Sequence, residues 1–458
     1  MPNERSVGPR VSVPFLCLPH VLEHQAKRIP DAPAILAPGR APLTYGRLSQ
    51  HMDNVESTLR ATGIGRRDRV AVVLPNGPEM AVAVLTVAAS AVCAPMNPAY
   101  QAEELDRYFA DLRPRALITQ AGIDSPARRA ALSRGIRVIE LATAVDAEAG
   151  LFTLTGDREG APFQDSISPN DVALLLPTSG TTSRPKIVPQ THASICTSAY
   201  AHGAALALKE TDRCLNVLPL FHGHGLHATL AASLAAGASV VCTPGFDVNS
   251  FSAWLTAFQP TWYSAVPTMH QAMLAQVRHN GEQLASVRLR FVRSSSAPLP
   301  PRTFAELEQT FDATVIEWYG MTEVTSSPIA CNPLPPRQRK AGSVGVPVSL
   351  DVAIMDDEGR ALLPSGRTGE VVVRGASVTA GYDGNPTATK AAFAGDWFKT
   401  GDLGYFDADG YLFLAGRIRE IINRGGEKVA PQELEEVLLD HPAVVEAVTF
   451  GVPHATLG

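Results

Sequence analysis

Residues 69–98 read RVAVVLPNGPEMAVAVLTVAASAVCAPMNP, and this stretch decides the fold class. It opens with a β-branched apolar run, turns at Asn76-Gly77-Pro78, continues as an alanine-rich helical pattern and ends in a second apolar run at Pro95. Strands that are apolar on both faces are typical of parallel sheets covered by helices. The stretch therefore predicts a strand–helix–strand unit of an α/β fold.

The same alternation of apolar runs and helical patterns continues to about residue 335. The runs that predict further strands are ALIT at Ala116, VALLL at Val172, SVVC at Ser239 and RLRFVRSSS at Arg288, with helical patterns over Ser250–Phe258 and Pro267–His279. After about Ala341, short alternating strands separated by Asp-Glu-Gly and Ser-Gly turns predict an antiparallel β unit. Beyond Gly416, a basic connector precedes a helix beginning at Pro431 and a strand-like run over residues 443–452.

The composition of the 458-residue chain excludes several classes of protein. Apolar residues make up 45% and charged residues 18%, which is incompatible with global disorder. The net charge of −6 provides no positive field for nucleic acid, so no such partner is predicted. The apolar stretches Met80–Met96 and Ala228–Cys242 fall short of the ~20 residues that cross a bilayer, and we predict packed core helices there.

The cysteine pattern and the N-terminal sequence indicate a compartment. The six cysteines are scattered without a C-x-x-C pair, which predicts neither a disulfide framework nor a structural zinc site. The first 30 residues lack the apolar core of a signal peptide, since prolines and His20 interrupt it. The sequence therefore predicts a cytoplasmic protein with no membrane span.

A small-residue loop follows the predicted strand at Val172. Residues 177–186 read PTSGTTSRPK, in which backbone N–H groups and hydroxyls could surround phosphate oxygens and Lys186 could add a mobile positive charge. The spacing is not that of a Walker loop. A Ser/Thr-rich surface turn is the alternative interpretation of these residues alone.

A second polar segment follows the run at residues 314–318. Residues 319–323 read YGMTE, so Tyr319 offers an aromatic face, Thr322 a hydroxyl for phosphate and Glu323 a carboxylate for Mg²⁺. Magnesium needs only one or two carboxylates when substrate phosphates supply the other oxygens. The alternative is a helix start with Thr322 as its cap, which would itself be an anion site.

Two more segments offer groups that could bind a nucleotide. Asp402, in a Thr-Gly-Asp turn, could accept two hydrogen bonds from a ribose diol. Arg417, after a glycine, carries the planar donor fork that suits phosphate or ribose oxygens. Each segment alone could equally be a generic turn.

Taken together and in order, these segments resemble a known family. TSGTT-x-x-PK, PLFHGHG, YGMTE, TGD and GRxxExINRGGEKVxPxELE resemble the motifs of the adenylate-forming superfamily, which includes acyl-CoA synthetases, from near residue 20 to residue 458. The resemblance implies activation of a carboxylic acid with ATP and Mg²⁺ to an acyl-adenylate, followed by transfer to CoA. It also implies a large body of two stacked α/β subdomains and a β-barrel-like subdomain, then a hinge and a small α+β lid.

The resemblance assigns roles to matching positions of this sequence. The resemblance implies that the β- and γ-phosphates are bound by Thr178, Ser179, Gly180, Thr181, Thr182 and Lys186, and that adenine is framed by Ser296, Ala297, Pro298 and Tyr319, with Gly320 and Met321 in the same nucleotide-binding set. It implies that Thr322 binds the α-phosphate, Glu323 binds Mg²⁺, and Asp402 and Arg417 lie at the ribose. The pantetheine arm of CoA would pass beside Gly425 and Gly426. Thr322, Glu323, Lys186 and Arg417 form the implied catalytic set, and Arg419 occupies the hinge position.

Within the superfamily, the chain resembles the oxalyl-CoA synthetase group most. SGTTSRPK, PLFHGHGL, RSSSAPL and INRGGEKVAP carry this likeness. A small dianionic acid needs cationic or donor groups at the far end of a short pocket, and those of that kind are His222, His224, Ser294 and Ser296. Gly320 stands where that group tends to carry alanine, which would deepen the pocket by about a methyl group and leaves malonate or a monoacid open.

Other interpretations of these segments stay open. His222, His224 and His227 could form a metal site by residue type, or be an ordinary loop histidine group. Transfer of the acyl group to a carrier-protein thiol, or a lidless nucleotide- or acyl-binding module, are alternative functions. The sequence does not predict an oligomeric state.

The resemblance also predicts how the chain divides. The body would span residues 1–415, with α/β subdomains at about 60–190 and 191–335 and a β-rich subdomain at about 340–415. Residues 416–421 would be the hinge, and residues 422–458 the start of an incomplete lid. Because the late lysine of the family's lid is absent from this sequence, we expect the chain as given to be impaired in adenylation.

Overall fold

The computed structural model describes residues 6–7, 11–144, 146–156, 166–178, 185–280, 284, 286–424, 427–429, 431–439, 441, 444, 447–452 and 454. The strands are β1 (Ser6–Val7), β2 (Pro33–Leu36), β3 (Leu43–Thr44), β4 (Arg69–Val73), β5 (Val92–Pro95), β6 (Ala116–Gln120), β7 (Arg137–Ala142), β8 (Thr153–Thr155), β9 (Val172–Pro177), β10 (Ile187–Thr191), β11 (Arg213–Asn216), β12 (Ser239–Cys242), β13 (Trp262–Ala265), β14 (Phe291–Ser294), β15 (Thr314–Tyr319), β16 (Ala330–Cys331), β17 (Ser343–Pro347), β18 (Asp351–Met355), β19 (Gly369–Arg374), β20 (Phe393–Ala394), β21 (Trp397–Phe406), β22 (Leu412–Arg417), β23 (Ile422–Arg424) and β24 (Glu427–Val429).

The helices alternate with the strands in the first two thirds of the chain. They are α1 (Leu18–Arg28), α2 (Tyr45–Ala61), α3 (Pro78–Ser90), α4 (Ala102–Leu112), α5 (Pro126–Ser133), α6 (His192–Ala205), α7 (Gly223–Gly225), a π-helical turn (Leu226–Ala231), α8 (Ala232–Ala235), α9 (Val248–Phe258), α10 (Pro267–Asn280), α11 (Pro301–Phe311), a 3₁₀ turn (Thr322–Val324), α12 (Pro386–Ala392), a 3₁₀ turn (Ile418–Glu420) and α13 (Pro431–Leu439).

The first sheet is built around the stretch at residues 69–98. Its strand order is β10-β9-β5-β4-β6-β7-β8, and β4 pairs in parallel with β5 and β6. Between β4 and β5 the chain turns at Gly77, whose φ is 143°, and Pro78 begins α3. Helix α3 is buried nearly all round, as its apolar sequence requires. The predicted strand–helix–strand unit is confirmed.

A second, longer sheet positions the candidate site. Strands β2, β12, β11, β13, β14 and β15 run parallel, and the sheet then continues through β16, β17 and β22 to the antiparallel strands β21, β19 and β18. The carboxyl ends of β11, β13, β14 and β15 therefore lie at one edge. In open α/β sheets, ligands bind outside this edge.

The antiparallel unit forms where alternating strands are predicted. Gly359 (φ 68°) and Gly366 (φ 80°) lie in the Asp-Glu-Gly and Ser-Gly turns, where left-handed backbone suits glycine. The unit is joined to the first sheet by Asp383, whose carboxylate receives two hydrogen bonds from Arg69 of β4, at 2.8 and 2.9 Å. Its core packs around residues such as Val371 and Phe398.

Two sequence-based expectations need correction. Neither apolar stretch is one packed helix. Met80–Met96 contains most of α3 and then the buried strand β5, and Ala228–Cys242 contains a π-helical turn and α8 followed by the buried strand β12. Residues 444 and 447–452, the described part of the strand-like run, form no strand. Instead, β23 and β24 form a two-stranded hairpin that precedes α13. Within the described ranges, no helix is long and apolar enough to cross a membrane.

Candidate active site

Tyr319, Asp402 and Arg417 meet at the boundary between the parallel and antiparallel parts of the sheet. Tyr319 is the last residue of β15, and Asp402 and Arg417 are cross-strand partners on β21 and β22. The Tyr319 hydroxyl donates to Oδ2 of Asp402 at 2.5 Å, and Nε of Arg417 lies 3.3 Å from Oδ1. Burial raises the pKa of Asp402, while these two partners oppose that rise. Three predicted site residues are thus together.

Lys186 and Glu323 contact the same tyrosine. The hydroxyl of Tyr382 donates to Oε1 of Glu323 at 2.9 Å, and Nζ of Lys186 is 4.5 Å from the centroid of the Tyr382 ring. Burial raises the pKa of Glu323, against the opposing influence of Tyr382 and Lys186. Sequence reasoning missed Tyr382, because only the folded chain brings the segment after residue 378 to this place.

The turn that carries Thr322 and Glu323 is tightly bent. The interpretation of Thr322 as a helix cap is wrong, since Thr322–Val324 is a single 3₁₀ turn whose N-cap is Met321. Thr325 and Ser326 follow with φ of 55° and 50°, an uncommon conformation for two successive non-glycine residues. A turn this short has no helix dipole, so anion binding here would depend on side chains such as the Thr322 hydroxyl.

Three hydrogen bonds from other elements hold this turn. Gln190 Nε2 donates to the carbonyl of Thr322 at 3.2 Å, and the Thr379 amide donates to the carbonyl of Glu323 at 2.8 Å. His202 Nε2 lies 2.7 Å from the carbonyl oxygen of Ser326. Such external bonds are what allow a strained backbone to persist.

The two ends of the predicted phosphate loop are hydrogen-bonded to each other. The Thr178 amide donates to the carbonyl of Lys186 at 2.8 Å, and the Lys186 amide donates to Oγ1 of Thr178 at 3.2 Å. The intervening predicted phosphate ligands, Ser179, Gly180, Thr181 and Thr182, lie outside the described residues. Thr178 and Lys186 therefore place the two ends of the loop at the end of β9 and the start of β10.

The predicted adenine segment is the exposed loop after β14. Ser296, Ala297 and Pro298 are all exposed, and Ser296 has a φ of 75°. The Ser296 hydroxyl lies 3.1 Å from Nδ1 of His224, which joins this loop to the predicted acid pocket.

The predicted substrate residues do not all come together. His224 is buried, and its Nε2 lies 2.7 Å from the hydroxyl of Ser264 on β13. Ser294 shares a strand face with Val292, whereas Arg293 shares the opposite face with Phe291, because side chains alternate along a strand. Ser294 therefore points away from the side on which Ser264 meets His224. His222 is exposed, and its ring centroid lies 4.9 Å from that of Phe221, with the two rings tilted by 51°.

The three histidines of HGHGLH do not form a metal site. His227 bonds through Nε2 to Oε1 of Gln190 at 2.8 Å, apart from the serine partners of His224. In the part of the chain that the structure describes, no group of three His, Cys, Asp or Glu side chains could hold a metal ion. Burial lowers the pKa of His227 to about 3, so this imidazole is neutral at pH 7.

A buried arginine beside His224 was missed from the sequence. Arg293 is 0% exposed, and its Nη1 donates to the carbonyl of Ala228 at 3.1 Å. Its Nη2 donates to Nδ1 of His202 at 2.7 Å, and its guanidinium lies 4.4 Å from the centroid of the Trp318 ring. Burial lowers its pKa to about 10, so it remains charged at pH 7. A charge inside the apolar strand β14 was the available signal.

Gly320 borders the Trp318 ring. A Cβ built on Gly320 would lie 2.5 Å from Cζ3 of Trp318 and 2.8 Å from the carbonyl oxygen of Ser327. Both distances are shorter than any ordinary contact, so an alanine would displace the ring. The methyl-sized space that glycine was expected to leave is the space next to the Trp318 ring. An alanine Cβ does not fit there unless the ring moves.

The remaining predicted positions lie at the C-terminal side. Arg419 is exposed in the 3₁₀ turn Ile418–Glu420, directly after β22. Gly425 and Gly426, the positions predicted for CoA, lie outside the described residues.

The chain is similar to known proteins over most of its length. The family described as "AMP-binding enzyme" matches residues 22–383. The chain is 44% identical over 454 residues to the probable CoA ligase CCL9 of Humulus lupulus, covering 97% of this chain and 85% of that protein. It is 43% identical over 448 residues to the oxalate–CoA ligase of Arabidopsis thaliana, covering 96% and 86%. The solved structure of ATP-bound MatB from Rhodopseudomonas palustris has a TM-score of 0.82 and 28% identity, covering 95% and 86%.

These matches extend over most of the chain. The predicted α/β fold class is confirmed, and ATP, Mg²⁺ and CoA are the cofactors of AMP-binding CoA ligases. The chain belongs to the AMP-binding, adenylate-forming superfamily of acyl-CoA synthetases, near its oxalate–CoA ligases.

Proposed function

We propose that this chain joins a small dicarboxylic acid, of the size of oxalate or malonate, to CoA. ATP-dependent activation of an acid and formation of a CoA thioester is the activity that its relatives share. The acid would attack the α-phosphate of ATP, forming an acyl-adenylate and releasing pyrophosphate. The thiol of CoA would then attack the acyl carbon and release AMP.

The buried guanidinium of Arg293 is the observation that carries the choice of a dianionic acid. Among the described residues, no carboxylate lies within 4 Å of it to form an ion pair, although the side chain is fully buried. Removing one unpaired ion from water and burying it costs several kcal/mol of folding free energy, even after the protein relaxes around it. The Trp318 ring offsets only about 2 kcal/mol of this. A second carboxylate on the substrate would supply the missing counter-charge.

The position of Arg293 favours a short acid. It stands three residues before Ser296 in the sequence, so the two residues lie within about 11 Å of each other, the longest span of three residues. It also packs on Trp318, which is adjacent in sequence to the nucleotide-site residue Tyr319. An anion held near Arg293 would therefore be close to the nucleotide, which suits an acid of two or three carbons. His224, which contacts both Ser264 and Ser296, would offer a neutral polar group to the acid between Arg293 and the nucleotide.

The residues around Glu323 fit a magnesium nucleotide. Glu323 is a buried carboxylate whose pKa burial raises, and a nearby cation would favour its charged form. Bound Mg²⁺ would neutralise charge on the phosphates, which is the chemistry it supplies. Lys186 would add a second positive charge, Thr322 a hydroxyl to the α-phosphate, and Asp402 a carboxylate to the ribose hydroxyls. These groups reduce the repulsion between two anions that must react.

Binding of acyl-adenylate analogues tests the acid class without requiring turnover. Sulfamoyl analogues that carry oxalyl, malonyl, acetyl and butyryl groups would be titrated by calorimetry. We expect the dianionic analogues to bind at least tenfold more tightly, and pyrophosphate release to show the same order for the free acids. Equal affinities across the four analogues would refute the dicarboxylate proposal, while failure of all four to bind would refute adenylation at this site.

A further inference from the structure

We infer that Tyr382 is a positioning residue that keeps Lys186 and Glu323 from forming an ion pair with each other, so that both remain available to the magnesium nucleotide. The inference rests on the roles proposed above for these two residues. Tyr382 lies outside every motif that the sequence indicates, and no role was expected for it.

The two ends of the tyrosine contact opposite charges. Its hydroxyl donates to the Glu323 carboxylate at 2.9 Å, and the face of its ring receives the Lys186 ammonium at 4.5 Å from the centroid. Ring faces attract cations and hydroxyls donate to carboxylates, so one side chain satisfies both. Tyr382 is 8% exposed, which keeps most water from these contacts.

Without this ring, the two charges would be drawn together. Glu323 is buried and Lys186 is half-buried, and opposite charges attract more strongly where water is excluded. Within the described ranges, nevertheless, neither residue forms an ion pair within 4 Å. A direct Lys186–Glu323 pair would occupy the ammonium that phosphate needs and the carboxylate that Mg²⁺ needs. The Tyr382 side chain contacts both groups and gives each a weaker partner, which a substrate can replace.

The segment that carries Tyr382 is fixed from both sides. The Tyr382 amide donates to Oγ1 of Thr389 at 2.9 Å. The next residue, Asp383, donates through its amide to the carbonyl of Ile187 at 2.8 Å and receives the two hydrogen bonds from Arg69 of β4. Because Ile187 directly follows Lys186, the tyrosine is held in register with the lysine. Its contact with both charges is therefore built into the fold.

The spacer role predicts a particular rescue in a pair of variants. Tyr382→Leu removes ring and hydroxyl together, so Lys186 pairs with Glu323, and we expect affinity for metal-free ATP to fall at least tenfold by calorimetry. Adding Glu323→Gln removes the competing carboxylate and should restore that affinity to the level of the single Glu323→Gln variant. A purely structural role of Tyr382 gives no such rescue, and absence of rescue overturns the inference.

A milder variant separates the two ends of the side chain. Tyr382→Phe keeps the ring on Lys186, so metal-free ATP affinity should stay within twofold of wild type. Loss of the hydroxyl should weaken binding of Mn²⁺, measured by electron paramagnetic resonance with a non-hydrolysable ATP analogue, by about threefold or more. A Tyr382→Phe protein that binds metal-free ATP as poorly as Tyr382→Leu contradicts the spacer role.

Two controls distinguish this inference from the proposed function. Tyr405, which stacks on Phe413 in the antiparallel unit, gives a matched Tyr405→Phe variant that should leave both affinities unchanged. Lys186→Ala should itself weaken ATP binding. If it does not, the proposed phosphate role of Lys186 fails, whatever Tyr382 does. If ATP binding behaves as described but no dianionic analogue is preferred, only the acid class fails.

Discussion

Arg293 donates a hydrogen bond from Nη2 to Nδ1 of His202 at 2.7 Å, and this bond fixes the tautomer of the imidazole. A guanidinium can only donate, so Nδ1 must present its lone pair and the ring proton must be on Nε2. Nε2 then donates a hydrogen bond to the carbonyl oxygen of Ser326, 2.7 Å away. His202 therefore connects the buried charge beside the proposed acid pocket to the strained turn that carries Thr322 and Glu323.

Replacing His202 by phenylalanine tests this connection. The change leaves the Arg293 guanidinium and the Ser326 carbonyl without these partners, and each buried group left unsatisfied costs about 1–3 kcal/mol. We expect a total loss of roughly 2–6 kcal/mol in the free energy of unfolding, measured by urea denaturation. The exposed His24 provides the control, since His24→Phe should change stability by less than about 0.5 kcal/mol. Similar losses in both variants would contradict the role of His202.

Buried neutral histidines make the fold sensitive to acid. Those whose pKa is lowered by burial include His192, His202, His224, His227 and His270. Each takes up a proton in the unfolded chain below about pH 6.5. The folded protein resists this uptake until the pH approaches the lowered pKa, which is about 4 for His270. Stability therefore falls as the pH drops from 6.5 toward 4.

The contribution of one histidine can be isolated with His270→Gln. A pH of 5 is about 1.5 units below the pKa of histidine in the unfolded chain. The buried neutral His270 should therefore lower the free energy of unfolding by roughly 2 kcal/mol at pH 5 relative to pH 7. Urea denaturation of wild type and variant at both pH values measures the difference. We expect the variant to lose about 2 kcal/mol less than wild type on acidification. An equal loss in both proteins would show that His270 is charged in the fold.

The strand–helix–strand unit could be predicted because its signals are local. Apolar runs, the Asn-Gly-Pro turn and the alanine-rich helix pattern all lie within residues 69–98. The run over residues 443–452 has strand propensity too, yet its described residues have no strand to pair with. Propensity for a strand depends on a partner, which local sequence does not supply.

The site was harder to predict than the fold, for a reason that β14 illustrates. The serines of RSSSAPL drew attention, whereas Arg293 beside them was missed. In a strand that is apolar on both faces, the sequence does not reveal which face a given residue occupies, and a shift of one residue reverses it. Similarly, the pairing of Asp402 with Arg417 depends on the register of β21 and β22, which shifts between Leu403 and Gly404.

Gly320→Ala tests the packing of Trp318. The added Cβ would lie within 3 Å of the ring and of the Ser327 carbonyl, so the neighbours must move. Overpacking of this kind costs about 1–3 kcal/mol, and we expect that loss of unfolding free energy together with weaker binding of the dianionic analogues. Gly203→Ala in α6 is the matched control. It meets no atom within 4 Å and should stabilise the helix by about 0.5–1 kcal/mol. A neutral Gly320→Ala would show that Trp318 has room to shift.

Adenosine binding isolates the contribution of Asp402, since adenosine carries no phosphate and needs no metal. The raised pKa of Asp402 means that its carboxylate takes up a proton at a higher pH than an ordinary aspartate near 3.9. We expect adenosine affinity to fall as the pH drops through that raised pKa, because the protonated acid accepts hydrogen bonds poorly. In Asp402→Asn the affinity should be at least tenfold lower at pH 7 and no longer depend on pH between 4.5 and 7. The exposed Asp409→Asn variant should keep the wild-type profile.

Arg293→Met separates the cost of a buried charge from its use. Removing an unpaired buried charge relieves its desolvation cost of several kcal/mol. It also leaves the Ala228 carbonyl and Nδ1 of His202 without their donor, at about 1–3 kcal/mol each, so we expect the free energy of unfolding, measured by urea denaturation, to change by less than about 2 kcal/mol. The affinity of the variant for the malonyl-adenylate analogue should fall at least a hundredfold, whereas that for the butyryl analogue should stay within about threefold. His224→Ala should also lower the affinity for the malonyl analogue more than that for the butyryl analogue, but by a smaller factor. A variant that is destabilised and loses both analogues equally would mean that Arg293 holds the fold together and does not recognise the acid.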